Sequence, residues 1–138
     1  MRRENMPTFD LDHFILEVTD PATVAAFLMS VLGLTPVRLE EFQTGRVPFP
    51  SVRVGPGTLI DLFPPRLWRG ATAHNPHHVC FAMSHPELDV IRSRLVAQQI
   101  PVTKLDDHNF GARGYGYSLY FDGPDALNIE IRSYDAPA

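Results

Sequence analysis

The sequence predicts an α+β fold in which one unit, a strand followed by a helix and several more strands, occurs twice. One observation is local: residues 12–21, DHFILEVTDP, resemble residues 77–86, HHVCFAMSHP. A second is a constant offset of 65 residues, which relates His13 to His78, Pro21 to Pro86, Pro36 to Pro101 and Val37 to Val102. A third is that each half later contains an alternating strand with one carboxylate, TLIDLF and NIEIR. These observations indicate a duplicated unit.

The first strand of each copy has an apolar face and a mixed face, because side chains alternate along a strand. The apolar faces carry Phe14, Leu16 and Val18 in the first copy and Val79, Phe81 and Met83 in the second. The mixed faces carry His13, Ile15 and Glu17 in the first copy and His78, Cys80 and Ala82 in the second. Both matched histidines are therefore predicted on the face that is less suited to packing against a helix.

A helix is predicted directly after each of these strands. Asp20-Pro21 combines a good N-cap with a proline at the first helical position, and Ser84-His85-Pro86 is a weaker form of the same signal. Gly33 is a suitable residue to end the first helix. Apolar residues follow with helical spacing in both copies: Val24, Phe27, Leu28, Val31 and Leu32, then Leu88, Ile91, Leu95 and Val96.

The closing strands, 58–63 and 128–132, place a carboxylate on the face opposite their aliphatic side chains. Asp61 alternates with Ile60 and Leu62, and Glu130 alternates with Ile129 and Ile131. We predict one domain, residues 1–138, made of two modules at about 8–63 and 76–134. Residues 64–75 are predicted to be the linker between them.

The composition limits the classes of function. A 138-residue chain with 44% hydrophobic residues can form a proper core without disulfides or metals as staples. A formal charge of −4 argues against nucleic-acid and membrane partners, and no apolar run approaches the roughly 20 residues of a membrane span. Cys80 is the only cysteine and no signal peptide is apparent, so a cytoplasmic protein is expected.

Two histidines and a carboxylate on matched strands are the residue types that a divalent metal needs. Neutral imidazole and carboxylate suit Fe, Mn, Co, Ni or Zn and leave coordination positions open for a substrate. The alternative without a metal is that the histidines only form hydrogen bonds and Glu130 is solvated. The repeat favours the metal, because His13 and His78 occupy equivalent positions and so do Asp61 and Glu130.

Two segments of the sequence resemble those of a known superfamily. LDHFILEVTDPATVAAFLMSVLGL resembles the opening of vicinal oxygen chelate proteins, and GARGYGYSLYFDGPDALNIEI resembles their closing signature, G-S-x-Y-F-x-D-P-D-G-N-x-I-E. The superfamily includes glyoxalase I, fosfomycin-resistance thiol transferases, extradiol dioxygenases and metal-free bleomycin-binding proteins. The resemblance implies two βαβββ modules that form curved mixed sheets, the glyoxalase-like fold. It also implies a homodimer with a site in each cup.

Carried over by position, the metal ligands of the superfamily fall on His13, His78 and Glu130. A fourth ligand, Glu in glyoxalase I, falls on Asp61, which is one methylene shorter and therefore suits a water-bridged role or a polar wall equally well. In the closing turn, Gly123, Ala126 and Leu127 replace the Asp, Gly and Asn of the signature. Ala126 stands where glycine would allow a positive φ, so we expect a turn of different shape.

The resemblance also indicates residues around the metal. Ser118, Tyr120, Arg113 and Arg132 are the candidate substrate contacts, with Arg113 suited to a carboxylate or phosphonate. Asp61, Glu17 or Tyr120 could move a proton. The three ligands are expected to converge in one concave cup, and His13 and His78 could reach one metal from different subunits of a homodimer.

The function predicted from these residues is a divalent-metal-dependent, glyoxalase-like enzyme, either a lyase, an isomerase or a thiol transferase, that binds oxygen atoms of a small molecule. One alternative is an Fe(II) extradiol-type dioxygenase, although a single small domain is less typical of that branch. The other is a metal-free protein that sequesters a small molecule, as in bleomycin resistance. Retention of all three ligand types counts against the metal-free alternative.

Overall fold

The computed structural model describes residues 9–135, which form two four-stranded mixed sheets with α-helices packed on them. The first sheet has the strand order β1-β4-β3-β2, and β1 runs parallel to β4. The elements of this first module are β1 (His13–Glu17), α1 (Pro21–Leu32), β2 (Thr35–Val37), α2 (Leu39–Gln43), β3 (Ser51–Gly55) and β4 (Thr58–Phe63).

The second module repeats the topology of the first. Its sheet has the order β5-β8-β7-β6, and β5 runs parallel to β8. The elements are β5 (Val79–Ala82), α3 (His85–Ala97), β6 (Lys104–Gly111), β7 (Gly114–Asp122) and β8 (Asn128–Ser133). The predicted pair of βαβββ units is therefore confirmed, with α2 as an addition to the first unit.

The strand registers confirm that the two modules are equivalent residue by residue around the histidines. Ile15 lies opposite Asp61 in the first sheet, and Cys80 lies opposite Glu130 in the second. Since His13 precedes Ile15 by two residues and His78 precedes Cys80 by two, each histidine has the same relation to the carboxylate on the neighbouring strand. Residues two apart share a face, so each histidine and its carboxylate are on the same side of the sheet.

The predicted helix ends are present. The Asp20 carboxylate accepts hydrogen bonds from the backbone N–H groups of Ala22 and Thr23, and Gly33 ends α1 with a φ of 72°. Ser84 caps α3 by accepting a 3.3 Å hydrogen bond from the Glu87 N–H. No helix between residues 9 and 135 has the length and apolar character that a membrane span needs.

One apolar core joins the two modules. Its fully buried members come from the inner faces of both sheets and from α1 and α3, and include Val18, Val24, Leu28, Val31, Ile60, Leu62, Leu88, Leu95, Leu119, Phe121 and Ile131. Burying a side chain of this size stabilises the fold by about 1.5–3 kcal/mol. Because the helices cover one face of each sheet, the face that carries the histidines is left open.

The closing turn adopts a left-handed conformation without glycine. Asp125 and Ala126 have φ values of 60° and 56°. The Asp125 carboxylate accepts hydrogen bonds from the backbone N–H and the hydroxyl of Thr19, at 3.1 and 2.7 Å. The backbone at Ala126 therefore keeps a positive φ although the residue is not glycine. The hydrogen bonds of Asp125 attach the turn to the residue before the N-cap of α1.

Candidate functional site

The second module brings His78 and Glu130 together. His78 lies just before β5 and Glu130 lies in β8, so the two neighbouring strands hold the side chains side by side. The imidazole Nε2 is 3.1 Å from Oε1 of the carboxylate. Glu130 is only 3% exposed, which means that its charge depends on the groups around it.

The other carboxylate oxygen of Glu130 is held by the protein. Its Oε2 accepts hydrogen bonds from Ser118 Oγ at 2.7 Å, Asn109 Nδ2 at 3.1 Å and Arg132 Nε at 3.3 Å. Burial by itself raises the pKa of Glu130, but the hydrogen bonds from Ser118 and other donors outweigh burial and lower it. Glu130 is therefore ionised at neutral pH, with Oε1 turned toward His78.

Tyr120 stands beside this pair as a proton donor. Its ring meets the His78 ring edge-on at 5.7 Å, and its hydroxyl accepts a 2.9 Å hydrogen bond from Asn109 Nδ2. Partial burial, followed by the hydrogen bond to Glu130, raises the pKa of Tyr120. The hydroxyl thus keeps its proton at neutral pH, which suits a general acid rather than a base.

Cys80 is a wall residue of this site. Although Cys80 is exposed as a whole residue, burial of the sulfur, with the nearby charge of Glu130, raises the pKa of Cys80 to about 12. A nucleophilic cysteine needs a thiolate, and this thiol stays protonated at neutral pH.

Ser118 and Arg132, two of the predicted substrate contacts, both hydrogen-bond to Glu130. Ser118 is fully buried and Arg132 is 3% exposed. The Arg132 guanidinium also donates from Nη1 to the Tyr134 hydroxyl and from Nη2 to the Asn109 carbonyl, both at 2.9 Å. All three nitrogens are thereby engaged. A Cβ on Gly111 would overlap this guanidinium, so a larger residue there would have to displace Arg132 from its hydrogen bonds.

Arg113 lies at the rim of the site, where it remains available to an anionic group. Its exposed guanidinium stacks over the Tyr134 ring at 4.6 Å, and its backbone N–H donates to the Tyr134 hydroxyl at 3.3 Å. A cavity of about 270 Å³ begins at Tyr134 and reaches His78, Glu130 and Arg132.

The first module contains a looser version of the same arrangement. His13 Nε2 is 4.0 Å from Asp61 Oδ2, and the other oxygen of Asp61 accepts a 2.6 Å hydrogen bond from Ser51 Oγ. His13 Nδ1 lies 2.7 Å from the Asp12 carboxylate. The hydrogen bond with Asp12 and then the charge of Asp61 raise the pKa of His13.

Glu17, a predicted proton carrier, is tied to the linker. It is 3% exposed and accepts hydrogen bonds from the backbone N–H groups of Arg69 at 3.0 Å and His74 at 2.7 Å. The Asn75 side chain bonds both the N–H and the carbonyl of Glu17. Although burial opposes ionisation, the His74 and Arg69 bonds lower the pKa of Glu17. These hydrogen bonds attach the linker to β1, and a role of Glu17 in proton transfer stays a prediction.

The linker forms one wall of a large cavity beside His13. This cavity of about 880 Å³ is lined partly by the linker, residues 64–75, and partly by β1. Its walls are mixed, with apolar side chains such as Ile15, Phe63 and Leu67 beside the polar residues His13, Glu17, Arg69, His74 and Asn75. The arrangement offers room for an apolar body next to a histidine.

One chain by itself does not bring the three predicted ligands together. His78 and Glu130 belong to the second sheet and His13 to the first, and β1 and β5 are edge strands that are not hydrogen-bonded to one another. Within residues 9–135 there is no group of three or more His, Cys, Asp or Glu side chains that could hold a metal. The described part of one chain thus offers the pair His78 and Glu130, and the convergence of His13 with this pair, including its form shared between subunits, stays a prediction.

The sequence reading missed Asn109, Ser51 and Tyr134. Asn109 reaches Glu130 through an irregularity in β6 that no residue pattern indicated. Ser51 could have been found, since it lies opposite Asp61 in the β3–β4 hairpin. Tyr134 could have been found through Gly111, because the absence of a side chain at Gly111 makes room for the Arg132 guanidinium, which contacts Tyr134.

No family model matches the sequence. A virulence protein of Salmonella typhimurium is 27% identical over 124 residues, which are 90% of this chain and 83% of that protein. The crystal structure of a Salmonella typhimurium virulence protein superposes with a TM-score of 0.75 at 24% identity, over 94% of this chain and 100% of that one.

Two enzymes have similar structures. The oxidase ChaP-H2 gives a TM-score of 0.70 at 26% identity, over 96% of this chain and 98% of that one. A lactoylglutathione lyase from Agrobacterium tumefaciens gives 0.65 at 24% identity, over 93% and 95% of the two chains. The likeness covers both modules and the linker between them.

Proposed function

We propose that this chain, which has the glyoxalase-like fold of the vicinal oxygen chelate superfamily, is a divalent-metal-dependent enzyme acting on a small molecule. The proposal rests on the ionisation and the orientation of the Glu130 carboxylate. Three donors occupy its Oε2, and its Oε1 is turned toward His78 Nε2 at 3.1 Å. An ionised carboxylate oriented in this way beside an imidazole fits two ligand positions of Fe, Mn, Ni, Co or Zn.

The third ligand proposed is His13 of the partner subunit in a homodimer. Two features support this. His13 stands in the same relation to its sheet as His78, on an open face. In addition, β1 and β5 are both edge strands, and edge strands have unpaired backbone groups that can meet another chain. Asp61 would then lie in the wall of the shared site.

The residues of this chain divide the remaining work. A bound divalent metal supplies Lewis-acid stabilisation of negative charge on a substrate oxygen, on the order of several kcal/mol. Tyr120 holds a proton that its hydroxyl can give to the substrate. Asp61, oriented by Ser51, can accept one. Arg113 at the rim can pair with a carboxylate or phosphonate of the substrate.

Within the enzyme proposal, lyase, isomerase and thiol-transferase chemistry are the first candidates, in keeping with the lactoylglutathione lyase among the similar structures. A metal-dependent oxidation is the second candidate, and ChaP-H2, an oxidase 26% identical to this chain, is the observation that favours it. Oxygen consumption by the Fe(II)-loaded protein in the presence of candidate phenolic substrates separates the two.

A metal-free sequestering protein is the competing function from a different class. It is favoured by the finding that one chain offers a pair of ligands rather than three within the part of the chain that the structure describes. Metal analysis of untagged protein, followed by titration with Co²⁺, Mn²⁺, Ni²⁺ and Zn²⁺, decides between the two. The enzyme proposal predicts stoichiometric loading that Glu130→Gln abolishes, and a protein that binds none of the ions contradicts it and is in keeping with metal-free sequestration.

Mixing two variants tests the shared site. His13→Ala and His78→Ala should each fail to bind metal as homodimers, since each lacks one ligand in both sites. After unfolding and refolding together, mixed dimers regain one intact site, built from His13 of one variant and His78 of the other. Recovery of metal binding in the mixture supports the proposal, and a metal-loaded monomer in sedimentation refutes it.

A further inference from the structure

An irregularity in β6 determines which side chain faces Glu130. Asp106 lies opposite Ser118, and Asn109 lies opposite Gly116, so three steps along β6 match two along β7. This is a β-bulge, with one extra residue on β6. Without it, His108 would stand opposite Gly116 and Asn109 would point to the other face, because side chains alternate. The Asp106 carboxylate accepts a 3.0 Å hydrogen bond from the His108 N–H within the bulge.

The bulge brings Asn109 to the centre of the polar network. Its Nδ2 lies 2.9 Å from the Tyr120 hydroxyl, 3.1 Å from Glu130 Oε2 and 3.3 Å from Ser118 Oγ. The backbone carbonyl of Asn109 accepts the 2.9 Å hydrogen bond from Arg132 Nη2. The side-chain amide has only two hydrogens, so these acceptors share them. Asn109 thus contacts both Glu130, the proposed metal ligand, and Tyr120, the proposed proton donor.

A neutral donor at this position has a particular effect on Glu130. It fixes the orientation of the carboxylate, as Arg132 does, but it adds no positive charge that would compete with a cation at Oε1. It also restrains the Tyr120 hydroxyl at a constant distance from the same carboxylate. Bulges occur often beside active sites, where they redirect a side chain.

We propose that Asn109 is a positioning residue, which the β6 bulge turns inward to orient Glu130 toward a metal and the Tyr120 hydroxyl toward the substrate. This inference rests on the proposed function. Hydrogen-bond partners of metal ligands typically contribute about 10- to 100-fold in metal affinity. Asn109 should therefore act on metal affinity more than on the stability of the metal-free protein.

The test compares three variants of the full chain. Asn109→Ala removes the donor, and Asn109→Leu keeps the approximate size of the side chain while removing the donor without adding a charge. His108→Ala alters the neighbouring bulge residue, whose ring stacks on Tyr115 instead of entering the network. Co²⁺ affinity and the Co²⁺ absorption spectrum are measured by titration, and thermal unfolding is measured without metal.

We expect both Asn109 variants to bind Co²⁺ about 10- to 100-fold more weakly with an altered spectrum, while His108→Ala matches the unsubstituted protein. Asn109→Leu decides the question if Asn109→Ala does not fold. Unchanged Co²⁺ affinity in both variants overturns the inference and leaves the proposed function intact. An unsubstituted protein that binds no Co²⁺, Mn²⁺, Ni²⁺ or Zn²⁺ overturns both.

Discussion

Glu130 and His78 face each other across two parallel strands, with Oε1 of the carboxylate 3.1 Å from Nε2 of the imidazole. The equivalent pair in the first module, Asp61 and His13, is separated by 4.0 Å. Aspartate is one methylene shorter than glutamate, and the longer distance is in keeping with that difference. The duplicated scaffold thus has one close pair and one loose pair, and the account of function depends on the close one.

Replacing His78 by alanine should remove metal binding with little loss of stability. The His78 side chain is about one-third exposed, whereas Phe81 packs against the core from the other face of β5. We expect Phe81→Ala to lower the free energy of unfolding by about 2 kcal/mol and His78→Ala by clearly less. Chemical denaturation and metal analysis of both variants check this. A His78→Ala protein whose metal content is unaffected would show that His78 is not a ligand.

A methyl group at Gly111 should disturb the site from a distance. Gly111→Ala displaces the Arg132 guanidinium and with it one donor to Glu130, because the added Cβ occupies the same space. We expect a loss of about 1–3 kcal/mol in the free energy of unfolding together with weaker metal binding. Gly57→Ala is the matched control, since nothing lies within 4 Å of its added Cβ. Equal behaviour of the two variants would contradict the packing described here.

The attachment of the linker should depend on pH through Glu17. Its pKa is lowered in the folded protein from a usual value of 4.5, so its contribution to stability is present above that value. The contribution is lost as the pH falls through the lowered pKa, where the carboxylate is protonated. Glu17→Gln should therefore be less stable than the unsubstituted protein at pH 7, and the difference should shrink as the pH falls below 4.5 and through the lowered pKa.

Two measurements check the role of Glu17. Thermal unfolding between neutral and acidic pH gives the pH dependence, and the rate of tryptic cleavage at Arg66 and Arg69 reports the attachment of the linker. Glu40→Gln, a change at an exposed glutamate of α2, serves as the control. Cleavage of Glu17→Gln no faster than that of the control would rule out a linker-holding role.

The closing turn offers a stabilising substitution. Ala126 has a φ of 56°, a conformation that glycine adopts without strain, so Ala126→Gly should raise the free energy of unfolding by up to about 1 kcal/mol. The same change at Ala26, an exposed position inside α1, should lower it by about 1 kcal/mol. Denaturant unfolding of the two variants provides the test, and a change of the same sign in both would show that the backbone of Ala126 is not strained.

Much of the fold could be predicted because its signals are local. The offset of 65 residues between His13 and His78 led directly to two modules, and the registers of Asp61 and Glu130 confirm their equivalence. Asp20 and Gly33 marked the ends of α1 through cap chemistry that depends on adjacent residues only. The repeat was detectable because duplication preserves spacing along the chain.

The site was less predictable because it depends on contacts between distant residues. Glu17 lies on the same strand face as His13, yet the linker occupies it, and no pattern in residues 64–75 indicated that. Asn109 faces Glu130 only because one extra residue shifts the alternation in β6. The separation of His13 from His78 follows from two sheets that do not share a hydrogen-bonded edge, which is a property of packing rather than of sequence.

A crystal structure of the Co²⁺- or Zn²⁺-loaded protein, with anomalous scattering recorded at the absorption edge of the metal, would locate the ion itself. We expect one peak per chain within bonding distance of His78 Nε2 and Glu130 Oε1, with His13 of a neighbouring subunit as a further ligand. A peak elsewhere, or the absence of any peak at this pair of residues, would contradict it.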